Sequence, residues 1–91
     1  MSYWVYIAEC ADHTLYTGIA TDVPRRLLQH NGDKPNGARY TAARRPVALV
    51  YEAPFATRSE ASKEEARIKR LSRREKELLI AGARAASAKT L

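Results

Sequence analysis

The sequence predicts an α+β fold in which a small three-stranded antiparallel sheet is flanked by helices, in the order β-β-α-β-α-α. Two observations carry most of this prediction. Two short runs rich in aromatic and β-branched residues, 3–10 and 15–20, are separated by a polar turn, which is typical of a β-hairpin. Two matches to the capping box S/T-x-x-E, at 57–60 and 72–75, predict the starts of two helices.

The register of the hairpin follows from the burial of its apolar side chains. Side chains alternate between the two faces of a strand, so Val5 and Ile7 lie on one face and Tyr6 lies on the other. Pairing the apolar faces of the two runs places Tyr6, Tyr16 and Gly18 together on the opposite face, whereas a shift by one residue would separate the tyrosines. This pairing requires an odd number of loop residues, and we expect a three-residue loop.

A first helix is predicted to follow the hairpin directly. Asp22 can cap its free amide groups, Pro24 suits its first turn, and Gly32 is expected to end it just after an asparagine. Arg26 and His30 are four residues apart, so we expect them to stack on one flank of this helix.

The later elements are predicted from alternation and capping. The run PVALVYEAPF, 46–55, is expected to form a third strand that is buried largely on both faces and closed by Pro54. The first capping box opens a long helix through about Leu71. The second opens a shorter helix that Gly82 is expected to end, and a flexible tail is expected to follow it.

The size and composition of the chain indicate one ordinary domain. Its 91 residues, 45% hydrophobic and 29% charged, suffice for one modest core, and we place the domain at 1–82 and a flexible basic tail at 83–91. No run of about 18 uncharged apolar residues occurs, and 1–10 lack the features of a secretory signal, so we expect a cytoplasmic protein. The single cysteine, Cys10, excludes an internal disulfide and a cysteine-based zinc site.

Positive charge is concentrated in the middle of the sequence. Sixteen lysines and arginines oppose ten acidic residues, for a net charge of +6, and the segment 23–51 carries six basic residues against Asp33 alone. Such a concentration attracts polyanions, most often nucleic acid, although charge alone is equally compatible with a solvated surface. The residues that we expect to contact nucleic acid are Arg25, Lys34, Arg39, Tyr40, Thr41, Arg44 and Arg45.

Several residues of the sequence resemble the GIY-YIG nucleases. The two tripeptides that name this family lie on adjacent strands and correspond here to Trp4-Val5-Tyr6 and Tyr16-Thr17-Gly18. An arginine eight residues after the glycine and a histidine four residues later correspond to Arg26 and His30. The family's metal-binding glutamate lies on the long helix after the third strand, where Glu65 fits best. The runs LYTGI-TD-x-x-RR-x-x-QH and RYT-x-x-RRPV-x-LVY are closest to the small stand-alone YhbQ-like branch.

The resemblance implies a divalent-metal-dependent endonuclease that hydrolyses phosphodiester bonds in DNA, with RNA also possible. One Mg²⁺ or Mn²⁺ ion would be held by Glu65, and the guanidinium of Arg26 would stabilise charge that builds on the phosphate. One tyrosine would activate water while the other orients the phosphate; we prefer Tyr6 as the base over Tyr16. His30 would shuttle a proton or contact phosphate. Without an appended DNA-reading element in these residues, recognition of shape or backbone is expected.

Two alternatives stay open at this point. Glu64 competes with Glu65 for the metal, but it lies about 100° around the helix and off the stripe of Ala61 and Ile68. Many family members carry an asparagine after the metal-binding helix, and no asparagine occurs here beyond Asn36. The rival function is therefore a nucleic-acid-binding module with little or no catalysis, and a protein-interaction domain is a third possibility.

Overall fold

The computed structural model describes residues 2–32 and 44–89, with side chains described up to residue 85, and these residues form three strands and three helices. The sheet has the strand order β2-β1-β3, and both neighbouring pairs are antiparallel. The predicted fold class and element order are therefore confirmed. No helix in the described ranges is long and apolar enough to cross a membrane. The elements are β1 Tyr3–Glu9, β2 Leu15–Ala20, α1 Val23–Asn31, β3 Ala48–Phe55, α2 Arg58–Lys69 and α3 Arg73–Lys89.

The hairpin of β1 and β2 has the predicted register. Tyr6 lies opposite Gly18, and the N–H of Cys10 donates to the carbonyl oxygen of Thr14 at 2.8 Å, which leaves a loop of three residues. His13, the last of these, has a φ of 67°, and a left-handed residue at this position is usual in three-residue hairpin loops. Both the shared tyrosine face and the odd loop are therefore confirmed.

Each face of the sheet carries its own apolar core, because β1 is the central strand. The first core lies beneath α2 and α3, and the second lies beneath α1. Members of the first are Val5, Ile7, Ala61, Ile68 and Ile80; members of the second are Tyr6, Ala8, Cys10, Val23 and Val47.

The first helix begins and ends where the sequence predicts. The Asp22 carboxylate accepts from the N–H of Arg25 at 3.1 Å, and Gly32 follows the last residue of α1. The Asn31 side chain then joins this end to the start of β3: its Oδ1 accepts from the N–H of Val47 at 2.6 Å, and its Nδ2 donates to the carbonyl oxygen of Val47 at 2.9 Å. These two bonds hold the end of α1 beside the sheet.

The third strand differs from the prediction that it is buried on both faces. β3 is an edge strand that pairs with β1 on one side alone, and all of its side chains are half-buried or exposed. Pro54 does not close it, since the strand continues to Phe55; an edge position tolerates a proline that lacks an N–H. A register shift opposite Ile7 and Ala8 also interrupts the ladder. Irregularities of this kind protect an edge from pairing with other chains.

The last two helices begin at the predicted capping boxes. Thr57 caps α2, and Ser72 and Glu75 cap α3 reciprocally, with the N–H of Ser72 donating to the Glu75 carboxylate at 2.8 Å. The prediction that Gly82 ends the last helix is wrong, because α3 continues to Lys89. Alanines follow the glycine, and their helix propensity exceeds the cost of one glycine. The domain boundary after residue 82 stays a prediction.

Candidate active site

Two tyrosines meet on the face of the hairpin that α1 covers. The ring centroids of Tyr6 and Tyr16 are 6.2 Å apart, and Gly18 lies directly opposite Tyr6 on the neighbouring strand. A Cβ at Gly18 would lie 2.7 Å from the Tyr6 hydroxyl oxygen and 3.1 Å from the Tyr16 ring. The close approach of these two rings therefore requires a residue without a side chain at position 18.

His30 is buried beneath the two tyrosines. Its Nε2 is 2.9 Å from the hydroxyl of Tyr6, and its ring meets that of Tyr16 edge to face with centroids 5.1 Å apart. The side chain is 1% exposed. Burial, and then the positive charge of Arg26, lower the pKa of His30 below its usual value of 6.5. The imidazole is therefore neutral at pH 7.

Arg26 and Glu65 both act on Tyr6, although they come from helices packed on opposite faces of the sheet. Burial raises the pKa of Tyr6 to about 12, and electrostatic interactions with Tyr16 and with the Glu65 carboxylate also favour the neutral phenol. A hydrogen bond and the positive charge from Arg26 oppose this rise in pKa. The Arg26 guanidinium also donates from Nη1 to Oε1 of Gln29 at 3.0 Å. The structure thus brings together the two tyrosines, Arg26 and His30, and the charge of Glu65 also reaches Tyr6.

The two candidate glutamates point to different surroundings. Glu65 is paired with Lys69, whose Nζ is 3.3 Å from Oε2, and it acts electrostatically on Tyr6. Glu64 accepts two hydrogen bonds from Arg67, at 2.6 and 2.8 Å, and its charge acts on Tyr51 of the edge strand. Of the two carboxylates, Glu65 is the one whose charge acts on Tyr6.

The residues at this site suit a hard cation that keeps most of its waters better than a metal ion enclosed by several protein ligands. Among residues 2–32 and 44–89, no group of three or more His, Cys, Asp or Glu side chains is placed to hold a metal. Mg²⁺ usually keeps several waters and binds proteins through one or two carboxylates. The partly exposed carboxylate of Glu65, whose charge acts on Tyr6, suits that mode of binding.

A cleft of about 280 Å³ opens beside Arg26, between the end of β2 and α1. The cleft is lined by Ile19, Ala20, Thr21, Asp22, Arg25, Arg26 and Gln29. A larger cleft of about 360 Å³ lies between β3 and α3 and is lined by none of the residues that act on Tyr6.

The other predicted nucleic-acid contacts are dispersed. Arg25 is exposed on α1 and lines the cleft beside Arg26. Arg44 lies at the hairpin tip, with its Nε 3.1 Å from the carboxylate of Asp12, and Arg45 donates to the carbonyl oxygen of Gly32 after α1. The remaining four lie outside the described residues; they are Lys34, Arg39, Tyr40 and Thr41.

Two residues of the site escaped the sequence prediction. Gln29 accepts a hydrogen bond from Arg26 three residues before it, and Lys69 pairs with Glu65 four residues before it. Both spacings are those at which helical side chains meet, so a search of the neighbours of Arg26 and Glu65 would have found them.

Comparison with known proteins shows the family of this chain. The model of the GIY-YIG catalytic domain matches residues 2–78. A UPF0213 protein of Desulfotalea psychrophila is 53% identical over 79 residues, which cover 87% of this chain and 71% of that protein. The solution NMR structure of a UPF0213 protein from Bacillus halodurans is similar with a TM-score of 0.57 and 44% identity, over 89% of this chain and 84% of that one.

A second NMR structure, of a protein from E. faecalis, has a TM-score of 0.64 and 39% identity to this chain, with 93% of this chain and 88% of that one covered. The sequence resemblance is therefore confirmed over most of the chain. This chain belongs to the GIY-YIG family.

Proposed function

We propose that the protein is a cytoplasmic, divalent-metal-dependent endonuclease that hydrolyses phosphodiester bonds in DNA, directed by the backbone or shape of its substrate. One observation supports this proposal above the others: Arg26 and Glu65, from helices on opposite faces of the sheet, both act on the buried phenol of Tyr6. A cation for phosphate, a carboxylate for a metal and a phenol for proton transfer are the groups that this hydrolysis needs.

Arg26 would stabilise the negative charge that builds on the phosphate as water attacks. A guanidinium keeps its charge at any physiological pH and offers a planar fork of donors that matches phosphate oxygens. Its contacts with Tyr6 and Gln29 support this role, because they fix the direction of a long side chain beside the cleft.

Tyr6 and His30 would carry the proton that leaves the attacking water. With the Tyr6 pKa raised to about 12, the phenol does not supply a free tyrosinate at pH 7. In the proposed step its oxygen accepts a proton from water while its own proton passes to Nε2 of His30, 2.9 Å away, as the new P–O bond forms and the P–O bond to the leaving oxygen breaks; solvent water protonates that oxygen. Tyr16 is more exposed than Tyr6, with the ring centroids 6.2 Å apart, so we assign Tyr16 the orientation of the water and phosphate.

Glu65 would hold one Mg²⁺ or Mn²⁺ ion. When bound, such an ion polarises the scissile phosphate and offsets charge on the leaving oxygen. The protein's own contribution is to present a carboxylate whose partner, Lys69, is an exposed cation that the ion can replace.

A binding module without efficient catalysis is the second candidate function. The raised pKa of Tyr6 favours it, because a phenol with a pKa of about 12 stays protonated at pH 7 and supplies almost no tyrosinate to act as a base. The sequence also has no asparagine beyond Asn36. The positive net charge of +6 would still support binding to nucleic acid.

Cleavage assays separate the two functions. Labelled plasmid, single-stranded DNA, branched DNA and RNA are incubated with the protein in Mg²⁺, in Mn²⁺ and in chelator. We expect metal-dependent cleavage of DNA that falls by about 100-fold or more in Arg26→Ala, since removal of one such charge-stabilising donor typically costs this much. Glu65→Gln should fall similarly, and Glu64→Gln is its matched control on the same helix.

The outcomes distinguish the candidates clearly. Equal losses in Glu64→Gln and Glu65→Gln would contradict the assignment of the metal ligand. Salt-sensitive binding without cleavage of any substrate would leave the binding module, and absence of both binding and cleavage would overturn both functions.

A further inference from the structure

Glu65 lies between two exposed cations on one flank of α2. A helix turns by about 100° per residue, so Arg58 lies about 20° and Lys69 about 40° around the axis from Glu65. With a rise of about 1.5 Å per residue, Arg58 precedes Glu65 by roughly 10 Å and Lys69 follows it by roughly 6 Å. The Nζ of Lys69 is 3.3 Å from Oε2 of Glu65. The three charges therefore form a row of cation, carboxylate and cation along the helix.

We propose that this row binds one strand of a nucleic acid, with Arg58 and Lys69 each contacting a phosphate on either side of the one at Glu65. The inference rests on the proposed function and extends it, because it assigns the path of the substrate. The row is about 16 Å long by the rise of the helix, so it can meet several successive phosphates of one strand. Contacts of this kind position a substrate without reading its sequence.

Lys69 can change partners at little cost. Its side chain is 57% exposed and that of Glu65 is 25% exposed, and the two are four residues apart on a helix. Exposed pairs of this kind contribute little to stability. The ammonium group is therefore held near the carboxylate in the free protein and is available to a phosphate that enters the site.

The opposite flank of the same helix supplies a matched control. Lys63 is exposed and carries the same charge as Lys69, but it lies about 160° around the axis from Glu65. A strand that follows the row does not reach it. Loss of Lys63 and loss of Lys69 change the net charge equally, so only position distinguishes them.

The test measures equilibrium binding and needs no cleavage. A fluorescein-labelled DNA, as duplex and as single strand, is titrated with the full chain in EDTA at several salt concentrations. For Arg58→Ala and for Lys69→Ala we expect affinity to fall about three- to tenfold and the salt slope to fall by about 0.7 to 0.9, the change for one lost phosphate contact. Lys63→Ala should stay within about twofold of the wild type, because any remaining effect is long-range and screened.

Failure of this inference differs from failure of the proposed function. If the wild type binds DNA but Arg58→Ala and Lys69→Ala behave like Lys63→Ala, the row is not the path, whether or not the protein cleaves. If the wild type binds no nucleic acid, the proposed function fails and the row fails with it. Thermal unfolding of each variant verifies that its fold is intact.

Discussion

The hydroxyl of Tyr6 and Nε2 of His30 lie 2.9 Å apart, and each of the two side chains is 1% exposed. Burial raises the pKa of the phenol to about 12 and lowers the pKa of the imidazole, so both groups are neutral at pH 7. The bond joins a hydroxyl to a neutral ring, and it links a strand of the hairpin to α1. The same contact therefore bears on both stability and chemistry.

Replacing Tyr6 by phenylalanine tests that bond. Tyr6→Phe removes the hydroxyl partner of a buried imidazole nitrogen, so we expect the free energy of unfolding to fall by about 1–3 kcal/mol. Cleavage should fall by about 100-fold or more if this phenol transfers the proton. Urea unfolding and the cleavage assay measure the two effects.

Tyr51→Phe is the control for this substitution, because Tyr51 is a half-buried tyrosine of the edge strand that packs against the other core. It should leave cleavage unchanged. Full cleavage by Tyr6→Phe would exclude Tyr6 as the proton-transfer residue and transfer that role to Tyr16.

The stability of the fold should decrease as the pH is lowered below about 6.5. The folded-state pKa of His30 is lower than its usual value of 6.5, so at pH values between the two pKa values the unfolded chain binds a proton that the folded protein does not. The contribution of His30 to the free energy of unfolding is therefore complete above pH 6.5, and it is lost as the pH falls towards the folded-state pKa. The loss approaches about 1.4 kcal/mol per pH unit at most. Urea unfolding between pH 7.5 and 5 measures the slope.

The second histidine of the chain serves as the comparison for this slope. His13 is 84% exposed at the hairpin tip, and its left-handed φ suits asparagine. We expect His13→Asn to preserve the decline between pH 6.5 and 5, whereas His30→Gln should flatten it. An unchanged slope in His30→Gln would show that other groups cause the loss of stability at acid pH.

Gly18 and Gly82 should respond in opposite directions to alanine. A Cβ at Gly18 would lie 2.7 Å from the Tyr6 hydroxyl oxygen, so Gly18→Ala must displace a buried ring, at a cost of about 1–3 kcal/mol. A Cβ at Gly82 meets nothing within 4 Å, and this glycine lies inside α3. Gly82→Ala should therefore stabilise the protein by about 0.5–1 kcal/mol.

Denaturation midpoints of Gly18→Ala and Gly82→Ala measure the two stability changes, and the cleavage assay adds a second measurement. Gly18→Ala should lose activity because Tyr6 moves, while Gly82→Ala should retain it. A neutral Gly18→Ala would mean that the tyrosine rings can separate freely, and a destabilising Gly82→Ala would mean that α3 is not helical at this position.

The features that the sequence predicts correctly are those set by local periodicity. The two-residue period of a strand, with an odd loop, places Tyr6 and Tyr16 on one face. The helical period likewise separates Glu65 from Glu64, because the two side chains leave the helix about 100° apart. Capping side chains then fix the helix starts at Asp22, Thr57 and Ser72, since they satisfy amides that the helix leaves unpaired.

The features that it misses depend on distant packing. The spacing of Arg26 and His30 gives their shared flank, but the burial of His30 depends on how α1 docks over the hairpin. The exposure of β3 depends on its place at the sheet edge, and an apolar run such as ALVY reads alike at an edge and in the centre. Gly82 is a plausible helix end by propensity alone, and nothing nearby in the sequence reveals that α3 continues.

Gln29 should hold Arg26 without cancelling its charge. Its Oε1 accepts from Nη1 of Arg26 at 3.0 Å, and the two side chains lie one helical turn apart. Gln29→Met removes the acceptor and keeps the length of the side chain, so the guanidinium loses one of its fixed contacts. We expect kcat for DNA cleavage to fall about tenfold, because misplacement of a catalytic group slows the reaction, while KM changes little.

Gln29→Glu supplies the opposite test at the same position. A carboxylate still accepts from Arg26, so the orientation of the guanidinium is kept, but it neutralises the charge that attracts phosphate. This variant should therefore retain most of its kcat and show a higher KM and weaker binding to DNA. NMR signals of the Arg26 side chain give a measurement that does not depend on cleavage: hindered rotation of the guanidinium should persist in Gln29→Glu and weaken in Gln29→Met. Identical kinetics and identical Arg26 signals in the two variants would show that Gln29 only lines the cleft.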